Sequence, residues 1–363
     1  MIVCIHEDRL EYLVGLKLTL LSIINCCQSL PIIVSSPNSP VTFRSWVKAL
    51  PNVQLLEEPT LKGLGWNVKP TLLLYCLEQG YSDVIWIDSD IIIGRDFRQR
   101  FSKIGYKTLV VAPEYYWGPR QGGNHRAIAW GLKPGKNLPA TVNTGIVKVT
   151  SHHIELLKAW QILLKHPVYI EAQRQPTENR PLAMVSDQEV LTALLGSEDF
   201  SHIPIDFLER GVEIAQCFKA AGYTPVERLK SIWSGSPMFI HAMGGKPWRR
   251  AFYLAIAQTQ NKSLGDRLRT NYDSLHLELS PYMTVARQYQ NQLDEATDWI
   301  KTDSVLARFL AMLFLGHPCL QELPLSLLEA AARRLRRMLN SDRHKYQSNI
   351  CLKSSTLNES SQQ

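Results

Sequence analysis

Two carboxylates break into an apolar run at Val84-Ile85-Trp86-Ile87-Asp88-Ser89-Asp90-Ile91-Ile92-Ile93. In an extended backbone residues i and i+2 point the same way, roughly 6.6 Å apart along the strand, so Asp88 and Asp90 are expected to face one cavity. Ionised together they repel. Protonation of one, a basic neighbour or a hard divalent cation would relieve that repulsion, and the cation is the reading favoured here. A metal held by one or two carboxylates keeps open positions, which the phosphates of a nucleotide substrate commonly fill. The competing account is a strand end with a turn, in which Asp-Ser-Asp only solvates the chain.

The same pattern recurs at Pro237-Met238-Phe239-Ile240-His241-Ala242-Met243-Gly244-Gly245-Lys246-Pro247-Trp248, where an apolar strand ends in a metal-competent imidazole, then a glycine pair and a lysine. A single histidine at a strand end is more often packed than ligating. Yet His241 supplies what two carboxylates lack, and Lys246 a charge for a phosphate near the metal. Upstream, Gly63-Leu64-Gly65-Trp66-Asn67-Val68-Lys69-Pro70 leads into a helix expected from Pro70 to Gln79, with Pro in its first turn. Lys69 at that helix start would make an anion site with the free backbone N–H groups, or would simply be exposed near a cap.

Two further stretches carry candidates. Asn143-Thr144-Gly145 interrupts the strand Thr141 to Val149, marking either close approach of a ligand or another backbone, or a β-bulge. Ser186-Asp187-Gln188-Glu189 is a capping box in Ser186 and Glu189, leaving Asp187 and Gln188 at the helix start to be explained otherwise.

The elements that must position these residues alternate. Met1 to Ile5 is a strand meeting charge at His6-Glu7-Asp8; a helix follows from Leu10 to Cys27, then a strand from Pro31, a short helix Val41 to Leu50, and a strand Asn52 to Glu57. Alternation of this kind gives a mostly parallel sheet with helices on both faces, and ligands bind beyond the carboxyl ends of its strands. The loop Glu114 to Trp130, rich in Tyr, Trp, Gly and Arg, suits a sugar or nucleoside face and equally suits ordinary loop packing.

The sequence has 363 residues, 45% hydrophobic and 20% charged, with a net charge of +7 and a pI near 9.0. That composition excludes a disordered or fibrous chain and leaves nucleic acid, anionic membranes and phosphorylated small molecules as targets of the positive charge. No nucleic-acid motif is present, so that class is set aside. Seven cysteines without a CxxC pair point to reduced thiols in a cytoplasmic protein. No signal peptide or membrane-spanning helix is expected; Lys17 interrupts the apolar stretch Tyr12 to Ile24, which is also too short.

In their order along roughly Met1 to Trp248, the Asp-x-Asp after an apolar strand, the Asn-Thr-Gly strand, the Asp-Gln opening a helix and the final His-x-x-Gly with Lys-Pro-Trp resemble glycosyltransferase family eight, which includes glycogenin and bacterial lipopolysaccharide galactosyltransferases. The resemblance implies a GT-A fold, a Rossmann-like nucleotide-diphospho-sugar transferase domain over residues 1–250, and retaining transfer of a hexose from a nucleotide sugar, usually a UDP-sugar, with Mn2+ or Mg2+. It implies Asp88, Asp90 and His241 as metal ligands, Lys246 on the diphosphate, Lys69 reaching the donor, and Asn143, Asp187 and Gln188 lining the sugar, the last two as the catalytic candidates. One departure stands out: only Gly245 separates Gly244 from Lys246, where the family usually has two residues.

Residues 251–339 are expected to form a helical extension, with helical patterns from about Tyr289 to Leu315 and from Leu325 to Leu339, and residues 340–363 a disordered tail. Leu327 to Leu339 joins a leucine stripe to four arginines, which suits peripheral contact with the anionic inner face of a membrane, or a helix packed on the domain with solvated arginines. The acceptor is expected to be a glycan, a lipid-linked sugar or a protein. Two alternatives remain: a nucleotide-sugar-binding GT-A domain without transferase activity, and a haloacid dehalogenase-like phosphatase, whose Asp-x-Asp would lie on the first strand and be followed by Thr.

Overall fold

The computed structural model describes residues 1–114, 123–218, 222–250, 263–293, 297–302 and 304–336. Its main sheet has seven strands in the order β3 (Val53–Leu56), β2 (Ile32–Ser35), β1 (Ile2–His6), β4 (Asp83–Ile87), β7 (Thr141–Thr150), β6 (Leu109–Glu114) and β8 (Ile205–Phe207). Only β7 runs against its neighbours. This is the Rossmann-like α/β arrangement that the strand and helix alternation predicts.

Alternate residues of each central strand enter different cores. Ile2, Cys4 and Trp86 pack with the helices Lys69–Glu78, Ile154–Leu164 and Asp187–Leu195, whereas Val3, Ile5 and Ile87 pack with Leu13–Cys26 and Val41–Lys48. A sheet buried on both faces is why β1 and β4 read as unbroken apolar runs.

A second sheet was not foreseen. It has three strands, β5 (Ile91–Ile93), β10 (Phe239–His241) and β9 (Ile214–Gln216), with β10 central, antiparallel to β5 and parallel to β9. Helix Leu13–Cys26 links the two sheets, because its Leu18 and Leu21 join Ile92 and Ile240 in a third core with Tyr282 and Met283 from the helix Pro281–Ala286.

Past Arg249 the described residues form α-helices and 3-10 turns, in pieces that differ from the forecast. The pattern from Tyr289 to Leu315 is divided: 3-10 turns at Arg287–Gln292 and Asp298–Ile300, and an α-helix only at Val305–Leu313. Among the described residues Leu264–Leu279 is the longest helix of this region. Helix 323–336 carries the leucine and arginine stripe as far as it is described. Residues 337–339 of that stripe and the tail 340–363 lie outside the described residues, as do residues 115–122 of the aromatic loop. Among the described residues no helix is long and apolar enough to cross a membrane.

Candidate active site

The Asp-Ser-Asp triplet is the point where the chain leaves one sheet for the other. β4 ends at Ile87, Asp88 N–H still donates to Gly145 C=O on β7 at 2.9 Å, Ile91 N–H donates back to Asp88 C=O at 3.1 Å, and β5 begins. The expectation of an extended strand through both carboxylates is therefore corrected. They converge because a turn brings them together, so the strand-end turn and the shared cavity are one feature.

Facing the turn is His241. Its strand pairs His241 with Ile91, and the next amide, Ala242 N–H, donates to Asp90 C=O at 3.0 Å. One ligand-capable atom from each of Asp88, Asp90 and His241 lies within 4.8 Å of the others. His241 Nε2 is 3.2 Å from Asp90 Oδ1, and its buried Nδ1 has no hydrogen-bond partner among the described residues. Two carboxylates and an imidazole with an unsatisfied ring nitrogen suit a divalent cation that accepts oxygen and nitrogen ligands.

The short link to Lys246 does reach this group. Gly244 takes the left-handed conformation (φ +76°), and a Cβ there would lie 2.9 Å from the Phe218 ring, so the tight path requires glycine. Lys246 Nζ then donates to Asp90 Oδ2 and to Ala242 C=O. Burial raises the affinity of the Asp90 carboxyl for its proton, but the charges of Lys246 and then His241 overcome this and hold it well below the usual carboxylate range.

Lys69 occupies a different place from the one expected of an exposed helix-cap lysine. It is 4% exposed, donates to Thr144 Oγ at 2.8 Å, and lies 3.3 Å from both Asp88 and Asp187. Thr144 in turn donates to Asp187 at 2.7 Å, and Trp86 Nε1 donates to Asp88 at 2.6 Å. Burial pushes the Asp187 carboxyl up in spite of Lys69 and Thr144, while the two carboxylates hold the Lys69 ammonium up in spite of burial. Asp187 is thus a buried counter-charge behind Lys69, and Lys69 links it to the metal-competent Asp88.

Asn143 and Gln188 sit further back. Of the two explanations offered for Asn-Thr-Gly, the bulge holds: β7 bulges against β6, with Ala112 opposite Asn143 and Val111 opposite Val147, while what approaches Gly145 is neither ligand nor backbone but the His241 side chain. Asn143 Nδ2 donates to Glu114 at 2.9 Å, with Gln188 Oε1 at 3.4 Å, and Asn143 Oδ1 accepts from Gly145 N–H. The capping box of Ser186 and Glu189 forms as expected. A Cβ at Gly145 would lie 2.8 Å from His241 Cε1 and 3.0 Å from Asn143 Oδ1. Gly145→Ala is therefore expected to displace the His241 ring and lower stability by about 1–3 kcal/mol, read by melting.

Some of these groups open onto a cleft of about 620 Å³ beyond the carboxyl ends of β1 and β4. Asp88, Asp90, Lys69 and Lys246 line it; Asn143, Asp187, Gln188 and His241 are not part of its wall. Sequence reading missed the near wall, His6 to Arg9 with Tyr12. Asp8 there accepts from Gly63 N–H at 3.1 Å, and its pairing with His6, opposed by partial burial, pulls its pKa to about 2. The signal was present: β1 meets His-Glu-Asp-Arg at the sheet edge where ligands bind.

No protein-family model and no curated protein matches the chain. Solved structures do. The bifunctional glycosyltransferase WbbM in its apo form aligns with a TM-score of 0.48 and 15% identity over 75% of this chain and 51% of WbbM, so the chain spans about half that protein. Galactosyltransferase LgtC, solved with donor and acceptor sugar analogues, gives 0.42 and 15% over 72% of this chain and 97% of LgtC. Mouse xyloside xylosyltransferase 1 gives 0.43 and 14% over 68% and 98%. At such scores and identities these are likenesses only.

Proposed function

We propose that the chain is a metal-dependent glycosyltransferase that takes a hexose from a nucleotide sugar, with UDP-hexose as the expected donor and Mn2+ or Mg2+ as the cation. The observation that carries this reading is the convergence of Asp88, Asp90 and His241 beside the cleft, with Lys246 on Asp90. A bound divalent cation supplies charge stabilisation for the nucleoside diphosphate that departs when the anomeric bond breaks. Asp88, Asp90 and His241 would hold it; Lys246 and Lys69 fix the two carboxylates and add positive charge where negative charge develops.

For retention, attack on the same face as the leaving group, with the departing phosphate oxygen taking the acceptor proton, fits better than double displacement. Asp187 is 3% exposed and bound to Lys69 and Thr144, which leaves it poorly placed as a nucleophile. That same withdrawal favours the second reading, a nucleotide-sugar binder without transfer. The Asp-x-Asp pair follows β4 rather than the first strand, against a phosphatase of the haloacid dehalogenase type. Leu327, Leu328 and Leu335 are exposed on a helix that also carries Arg333, Arg334 and Arg336, which supports peripheral contact with anionic lipid near a glycan, lipid-linked or protein acceptor.

Thermal-shift measurements with nucleoside diphosphates and nucleotide sugars test the proposal, since ligands of the folded state raise its melting temperature. The expected result is stabilisation by one nucleotide class that needs Mn2+ and disappears with EDTA, accompanied by donor hydrolysis or transfer. Binding without turnover on any acceptor would favour the binder; no shift with any nucleotide would overturn the metal and donor reading.

A further inference from the structure

We infer that Arg9 is a further binding residue of the cleft, placed to grip the diphosphate of the donor; this rests on the functional reading above. Arg9 follows β1 and lines the cleft with the carboxylates Asp88 and Asp90. Its guanidinium stacks 3.8 Å above the Tyr12 ring, and Lys246 Nζ lies 6.0 Å from the same ring, so one tyrosine gathers two cations beside the metal-competent group.

The guanidinium is aimed by a built support. Glu7 is 2% exposed, and its Oε1 accepts from Arg9 Nε at 2.8 Å and from the Arg9 backbone N–H at 3.0 Å. Glu7 Oε2 accepts from Arg9 Nη2 at 2.8 Å and from Ser89 Oγ at 2.6 Å. Ser89 is the residue between the two aspartates, so one buried carboxylate ties Arg9 and the metal-competent turn together. Nη1 makes no hydrogen bond to a described residue, and the side chain remains 49% exposed.

A guanidinium fixed on one edge and open on the other suits bidentate or bridging contact with phosphate oxygens better than a mobile lysine would. The competing role is structural: Arg9 only neutralises buried Glu7. The two roles part in a double variant. If Arg9 is merely a counter-charge, Glu7→Gln removes the need for it, and Glu7→Gln/Arg9→Ala recovers full ligand binding.

The experiment is calorimetric titration of the whole chain, with Mn2+ present, against UDP, GDP, the matching nucleosides and inorganic pyrophosphate. The variants are Arg9→Ala, Arg9→Lys and Glu7→Gln/Arg9→Ala. We expect Kd for the nucleoside diphosphate that binds, and for pyrophosphate, to rise roughly tenfold or more in Arg9→Ala and to stay raised in the double variant, with partial recovery in Arg9→Lys and nucleoside binding unchanged. Should Arg9→Ala misfold, the double variant, which lacks the uncompensated buried carboxylate, carries the test. Unchanged diphosphate affinity in either variant, or equal loss for nucleoside and diphosphate, would overturn the assignment. Failure of the wild type to bind any nucleoside diphosphate would instead overturn the functional reading on which it rests.

Discussion

Asp90→Asn is expected to fold and to lose metal-dependent nucleotide binding, with transfer falling on the order of 10³-fold or more, roughly 4 kcal/mol of transition-state stabilisation. The size follows from how many contacts meet at one carboxylate. Asp90 Oδ2 accepts from Lys246, Oδ1 faces His241 Nε2 at 3.2 Å, and its backbone carbonyl ties the turn to β10. The amide keeps the side chain's shape and the backbone bonds, so the protein should hold together. What it lacks is charge: a neutral oxygen is a poor ligand for a hard cation, and Lys246 loses its ionic partner. Melting curves with and without Mn2+ and UDP check this directly. A variant that still gained full metal-dependent stabilisation would remove Asp90 from the ligand set, leaving its ion pairs as a purely structural cluster.

The chemistry was more legible than its geometry. Apolar runs ending in Asp88 and in His241 announced two strand ends, and helix starts at Lys69 and Asp187 were marked by proline and by the capping box. Local signals of that kind survive folding because they depend on neighbours in sequence. The split of Val84 to Ile93 between two sheets did not show, since β5 is defined by its pairing with β10, about 150 residues away. Nor could sequence say that Lys69 would be spent on Asp88 and Asp187, or that Glu7 would meet Ser89. Buried polar groups find partners across the fold, and spacing along the chain carries no trace of those distances. The helical pattern expected from Tyr289 to Leu315 held at Val305–Leu313, while nearer Tyr289 the chain takes 3-10 turns instead.

Lys69→Met is the substitution expected to cost the most stability. Lys69 is the counter-charge of Asp187, a carboxylate 3% exposed, and it also pairs with Asp88. Removing one member of a buried pair leaves the other charge uncompensated, at about 3–5 kcal/mol. Asp187 would answer in part by taking up a proton, because burial already pushes its carboxyl up and the lysine that opposes this would be gone. Lys69→Met/Asp187→Asn should recover most of the loss, since Thr144 can still bond to the amide and no buried charge is stranded. The sign of the pH dependence provides a further check. The folded state raises the Lys69 pKa, so its contribution is fully present below the unfolded lysine value of about 10.4 and is lost as the pH rises through the folded value. Wild type should therefore lose stability on the alkaline side more steeply than the double variant in urea melts. Equal alkaline slopes, or a single variant as stable as wild type, would mean that the ammonium is not what holds Asp187 and Asp88 together.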